Sequence, residues 1–294
     1  MSVVDVRCRE PGVGHAGEMR RVVTSESLWW SASLAVFLLA AAVFVLHVTP
    51  TPGALLTRRV FDDGASARRA RNAQFADPNV WIRRDISYLR TGSPLVGAAA
   101  RDTLFDIYRA NSADGPAPTI VWIHGGGWVS GDKADPAHYL SRLAGAGFTV
   151  VSLNYSLAPQ RHYPLAIRQL NEAMSHPSGM ATRILGWGVN NTLWAYSGSR
   201  AVPSPALDQM STIRHLTPGF PPTWIGAGNA DPLTATQSIP LAAALREQGV
   251  AVSTLIFDTS TPEQLGHEFQ FELGTPAGQR ALASSIEFAH RVTR

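Results

Sequence analysis

The stretch Ile120-Val121-Trp122-Ile123-His124-Gly125-Gly126-Gly127-Trp128 decides the fold. Its first half, all β-branched or aromatic, reads as a buried strand, and the strand stops abruptly at three glycines. Without a Cβ, backbone N–H groups at that point can approach a ligand closely. N–H groups held rigidly at the carboxyl end of a strand can stabilise the oxyanion that develops when a carbonyl is attacked.

On either side of this stretch the pattern is α/β. Val80 to Tyr88 and Thr103 to Ala110 alternate apolar and polar residues, which predicts an antiparallel or edge pair open to water on one face, connected through Thr91, Gly92, Ser93 and Pro94. Thr119 to Ile123 is nearly all apolar, as expected of a central parallel strand covered on both faces. A helix from about Pro136 to Ala146, a strand from Phe148 to Tyr155 and a helix from Pro164 to Ser175 follow. Later come a strand at Pro222 to Ala227, a helix at Ser238 to Gln248, a strand at Val250 to Phe257 and a closing amphipathic helix from Thr275 to Val292. This alternation predicts a mostly parallel sheet flanked by helices, with right-handed crossovers.

The 294-residue chain is 45% hydrophobic and 16% charged, a globular composition able to bury a core. Its formal charge of +3 comes mostly from arginines in the first quarter, among them Arg20, Arg21, Arg58, Arg59, Arg68, Arg69 and Arg71. Charge so placed reads as juxtamembrane, and no nucleic-acid partner is expected. The single cysteine, Cys8, excludes an intramolecular disulfide.

Leu28 to Val48 reads LWWSASLAVFLLAAAVFVLHV and carries no Asp, Glu, Lys or Arg. The run is long enough to cross a bilayer as one helix, with Trp29 and Trp30 at one end where indoles favour the interface. The expected organisation is a tail at 1–27, a transmembrane anchor at 28–48, a linker with a short helix at 49–78 and an α/β domain at 79–294. Arginines precede and follow the span in similar number, so its orientation stays open.

His124 to Trp128, taken with Asn154-Tyr155-Ser156-Leu157-Ala158-Pro159 and Tyr163-Pro164, resembles the hormone-sensitive-lipase-like carboxylesterase branch of the α/β-hydrolase fold from about residue 80 onward. Gly228-Asn229-Ala230-Asp231-Pro232-Leu233 looks like that family's acid loop, and Gly266-His267-Glu268-Phe269 like its late histidine loop. The resemblance implies His267 as general base, Asp231 as its orienting carboxylate, and the N–H groups of Gly125 and Gly126 as part of an oxyanion hole, with His124, Gly127 and Trp128 completing the motif. A small hydrophobic ester is the implied substrate or ligand. No cofactor or metal is expected.

One piece is missing: no G-x-S-x-G occurs anywhere in the chain. The family's pattern places a nucleophile elbow after the helix near residue 175, then further strand and helix units. Asp231 follows Gly127 by only 104 positions, too few for those units beside the elements already assigned. The sheet is therefore expected to be shortened in its centre, with the Pro222 strand beside the Thr119 strand. Ser66, Ser130, Ser178, Ser197 and Ser199 are the substitutes available, yet none follows a strand and opens a helix. Two readings stay open, an ester hydrolase with an unidentified nucleophile and a non-catalytic remnant that binds a hydrophobic ligand.

Overall fold

The computed structural model describes residues 25–89, 95, 99–174, 194–199 and 205–293. Cys8, the turn Thr91 to Pro94, Ser178 and the tract 179–193 lie outside the described residues. Contacts divide the chain into two compact units, Met1–His47 and Val48–Arg294.

In the first unit, helix α1 (Ser25–Val48) is apolar with no polar face, and Trp29, Trp30, Phe37 and Leu39 are all exposed. Among the described residues no single helix is long and apolar enough to cross a membrane. The run Ala32–Val48 passes only together with the next helix, as a broken pair.

The second unit begins with helix α2 (Thr51–Asn72), which fills most of the stretch expected to be a linker. Pro52 lies in its first turn, where a missing N–H costs nothing. Next, β1 (Val80–Ser87) pairs antiparallel with β2 (Leu104–Ala110), Val80 opposite Ala110, with a bulge between Arg83 and Ile86. Strand β3 (Thr119–Ile123), helix α3 (Ala137–Gly145), strand β4 (Thr149–Leu153) and helix α4 (Leu165–Met174) follow. After a short helix α5 (Pro205–Gln209) come β5 (Thr223–Ala227), α6 (Ile239–Glu247), β6 (Val252–Ile256) and α7 (Pro276–Val292). Thr275 caps α7 by accepting from the Gly278 N–H.

The strands among the described residues form two sheets. One has the order β1-β2-β4-β3, with β3 parallel to β4; the other is the parallel pair β5-β6. Two expectations are corrected here. Strand β3 is not covered on both faces: its burial alternates, and Val121 and Ile123 are 43% and 41% exposed. Among the described residues it has only one neighbour, so it forms an edge. Nor does β5 lie hydrogen-bonded beside β3; its partner is β6.

Helix α7 joins the two sheets. Leu282, Ile286 and Ala289 pack into the cluster of Tyr139, Leu140, Phe148 and Val150, while Ala277 and Ala281 pack with Leu255, Leu265 and Phe269. Trp224 of β5 donates to Ser284 at 3.0 Å, and Tyr139 of α3 pairs with Ser285 at 2.9 Å. One amphipathic helix thus fixes the β5-β6 pair, which has too few strands to be stable by itself.

Candidate active site

The loop after β3 is a tight turn that only glycine permits. Gly126, Gly127 and Trp128 have φ of 106°, 59° and 66°, and the Gly126 carbonyl accepts from the Val129 and Ser130 N–H groups. A Cβ on Gly126 would stand 2.1 Å from the Ser130 carbonyl oxygen, and one on Gly131 would meet His124 Nδ1 at 2.3 Å. His124 is 5% exposed and stacks on Tyr155 at 4.3 Å, while the Tyr155 hydroxyl donates to the His124 carbonyl at 2.8 Å. Trp128 stacks on Tyr196 at 4.7 Å, so this member of the motif serves packing.

Downstream, the loop is pinned by Lys133. Its N–H donates to Asn154 Oδ1 at 2.7 Å and its carbonyl accepts from the Ser152 hydroxyl. Its ammonium reaches Asp106 Oδ1 at 2.6 Å and Asp85 Oδ1 at 2.8 Å. Burial alone pulls the Lys133 ammonium pKa down, but the hydrogen bonds and charges of the two aspartates outweigh it and hold it above its ordinary value.

The acid and histidine loops leave β5 and β6. Asp231 Oδ1 accepts from the Leu233 N–H at 2.8 Å, and Asp231 Oδ2 lies 2.9 Å from His267 Nδ1. With Nδ1 facing a carboxylate, Nε2 is the nitrogen left to accept a proton. Asp231 is largely buried and His267 is 61% exposed at its side chain. Asn229 ties the two loops together: its Nδ2 donates to the carbonyls of Asp258, Thr261 and Glu263, and its Oδ1 accepts from the Leu265 N–H. Gly228 permits this approach, since a Cβ there would meet the Leu265 carbonyl oxygen at 2.1 Å.

His124, Gly125, Gly126, Gly127, Asp231 and His267 all line one cavity of about 490 Å³. That volume is within the roughly 300–1,000 Å³ range of small-molecule sites. Helix α2 supplies another wall through Thr57, Val60, Phe61, Gly64, Ala65 and Arg68, spaced along a single helical face. Arg58 anchors that helix by donating to the carbonyls of Val129 and Ala158. Arg68 bridges Glu268 at 2.6 Å, and a Cβ on Gly125 would stand 3.3 Å from Glu268 Oε1. Glu268 reaches that position from a left-handed backbone, φ 63°.

Among the described hydroxyls, Thr57 and Ser130 line the cavity. Ser130 is 2% exposed and donates to Asp62 at 2.5 Å. Ser66 is exposed on α2, away from the cavity-lining face, and Ser197 and Ser199 bond across the Gly198 turn. The roles of Asn229, Tyr155 and the α2 face were not read from the sequence. Only the Gly64-Arg68 spacing, continued back to Phe61 and Thr57, carried a signal for α2.

Burial lowers the pKa of both His124 and His138 from 6.5. Each is therefore neutral when folded, while the unfolded chain protonates first as pH falls. Stability is full above about pH 6.5 and declines below it by up to about 1.4 kcal/mol per pH unit per imidazole until the folded pKa is reached. In His138→Gln, an amide replaces the Nε2 contact to the Phe271 carbonyl at 2.9 Å. Urea midpoints for this variant are expected to fall less steeply with acid than those of the parent; an identical slope would contradict a neutral buried His138.

The BD-FAE family model matches residues 105–183. The chain is 31% identical over 153 residues to the probable carboxylic ester hydrolase LipM of Mycobacterium tuberculosis, covering 51% of this chain and 33% of LipM. It is 34% identical over 74 residues to esterase LipC of the same organism, covering 24% of this chain and 18% of LipC. The match thus spans a third or less of these curated relatives. Among solved structures, esterase B from Lactobacillus rhamnosis superposes with a TM-score of 0.66 at 16% identity, over 83% of this chain and 96% of that one. A bacterial heroin esterase gives 0.61 at 18% identity, over 81% and 91%. At such identities the structural likeness establishes the fold.

Proposed function

We propose that this chain is a member of the carboxylesterase branch of the α/β-hydrolase fold, and that its cavity binds carboxylic esters and hydrolyses them slowly with water as the nucleophile; the partial matches to ester hydrolases support this reading. The observation that carries this reading is the Asp231-His267 pair, 2.9 Å apart, opening on the same cavity as Gly125 to Gly127. His267 Nε2 takes a proton from water as the water oxygen bonds to the ester carbonyl carbon. The C=O electron pair moves onto the carbonyl oxygen, which the Gly125 and Gly126 N–H groups stabilise. Collapse breaks the bond to the alcohol oxygen, and that oxygen leaves with the proton from Nε2.

A second reading, a non-catalytic ester binder, is favoured by the Ser130-Asp62 bond, which commits the cavity's buried serine to a partner other than His267. Hydrolysis of p-nitrophenyl esters separates the two. The expected result is turnover that falls about 10²-fold or more in His267→Ala, together with no covalent tag from a fluorophosphonate. Turnover with a tag on one serine would replace water by that serine, and binding without turnover would leave the binder.

Two structural parts belong to the same proposal. The sheet has lost its central strand and helix units between β4 and β5, a reading supported by β3 and β5 each having one strand neighbour among the described residues. Helix α1 anchors the chain in a membrane. What supports this is the run Leu28 to Val48, free of Asp, Glu, Lys and Arg, with Trp29 and Trp30 near its start.

A further inference from the structure

Glu268 lines the cavity, yet the Asp231-His267 pair makes no use of it. Its two carboxylate oxygens meet different surroundings. Oε2 accepts from Arg68 Nη1 at 2.6 Å. Oε1 has no hydrogen-bond donor among the described residues, and it stands 3.3 Å from where a Cβ on Gly125 would be. Standard bond lengths put a backbone nitrogen about 2.5 Å from its own Cβ, so Oε1 lies within about 6 Å of the Gly125 N–H that holds the ester carbonyl oxygen.

The charges around this oxygen do not balance. Among the described lining residues, Asp135, Asp231 and Glu268 bring carboxylates, while Arg68 brings the guanidinium. Arg68 is itself shared, with its Nε 3.5 Å from Glu272 Oε1, and Arg69 reaches Asp135 at 3.2 Å from outside the lining. His124, near enough to feel the charge of Glu268, adds no cation, because burial holds its imidazole below its ordinary pKa; its Nε2 has no hydrogen-bond partner. A carboxylate oxygen so close to a developing oxyanion opposes it unless a cation stands between them. A substrate that carries its own cation removes the conflict. We propose that Glu268 Oε1 binds an ammonium group on the carbon next to the ester carbonyl, which makes the substrate class an α-amino acid ester. Such an ester measures about 3 Å from nitrogen to carbonyl oxygen, and hydrogen bonds of about 2.8–2.9 Å at each end bridge a gap of about 6 Å along a bent path.

This inference rests on the ester-hydrolase reading, and its test separates the two. The full-length chain is assayed at about pH 6.5, below the ordinary α-amino range, on the methyl esters of alanine, lactate and propionate, which share one shape. The alanine ester is expected to be hydrolysed with kcat/KM about ten-fold or more above the other two, and Glu268→Gln to bring that preference down to about three-fold or less. Because Glu268→Gln also weakens the bridge to Arg68, Arg68→Gln is the companion variant: it breaks the same bridge, keeps the carboxylate, and is expected to hold the preference at the parent's level or above. Equal rates on the alanine and propionate esters overturn the proposal. A lactate ester hydrolysed as fast as the alanine ester overturns it too, since a neutral donor then suffices, and so does an equal loss of preference in both variants. Calorimetric titration with alaninamide and lactamide reads the site without turnover, and tighter binding of alaninamide, lost in Glu268→Gln, is expected. If no ester turns over, the hydrolytic reading fails while this titration still decides the ammonium site, and equal affinity for the two amides overturns it.

Discussion

Gly126→Ala is expected to destabilise the protein by about 2 kcal/mol or more and to remove ester binding in the cavity. Two effects act on one atom. The residue sits at φ 106°, where an L side chain is strained, and its Cβ would stand 2.1 Å from the Ser130 carbonyl oxygen. That neighbour is backbone and cannot swing aside. The Gly126 carbonyl also closes the turn by accepting from Val129 and Ser130, so relief at one atom opens the hydrogen bonds that shape the loop. Gly115→Ala is the matched control: φ is 82° there, but nothing lies within 4 Å of the added methyl. It is expected to cost about 1 kcal/mol and leave ligand binding intact. Urea midpoints and fluorescence titration with a non-hydrolysable phosphonate ester measure both variants. Equal losses would mean that the contact with Ser130 contributes nothing.

Lys133→Met is the second large effect, with an expected loss of about 3–5 kcal/mol. It strands the Asp106 carboxylate, which is 0% exposed and loses its 2.6 Å ammonium partner. The half-exposed Arg84 guanidinium at 3.2 Å and the Asp85 N–H at 3.0 Å remain, and they compensate the buried carboxylate only in part. The cluster also holds the β1 bulge, because Asp85 stands at φ 59° with its carboxylate on the same ammonium. In a double-mutant cycle with Asp106→Asn, the pair is expected to lose less than the sum of the two single changes, since the second change removes the charge that the first left with Arg84 as its remaining cationic partner. Strict additivity would count against the ion pair.

The elements whose signal is local were legible in the chain. Turn residues and hydrophobic period marked α3, β4, α4, β6 and α7 to within a residue or two, because capping, glycine stops and side-chain spacing act between near neighbours. The resemblance of their two loops to the esterase family implied that Asp231 and His267 pair, and the two side chains meet at 2.9 Å. The error at β3 had the opposite cause. Thr119 to Ile123 has the composition of a central strand, but whether a strand is central depends on a neighbour elsewhere in the chain. Its second neighbour is absent among the described residues, and Val121 and Ile123 are left exposed.

Helix α2 was the larger surprise. Three prolines, two glycines and an arginine cluster across 49–78 suggested a linker. Proline costs nothing in a first turn, and the arginines find partners far along the chain: Arg58 on the carbonyls of Val129 and Ala158, Arg68 on Glu268, and Arg71 on Glu272. Such bonds join residues between 71 and 201 positions apart, so no window of sequence contains both ends.

What the sequence determined by itself is therefore the glycine turn after β3, the α/β alternation and the absence of G-x-S-x-G. Each depends on the allowed conformations or the chemistry of residues that stand close together. The tertiary structure alone decided that the strands among the described residues divide into four and two, that Asn229 clamps the loop of His267 to that of Asp231, and that α2 walls the cavity. These depend on which distant surfaces bury one another, and burial is a property of the folded chain rather than of any segment of it.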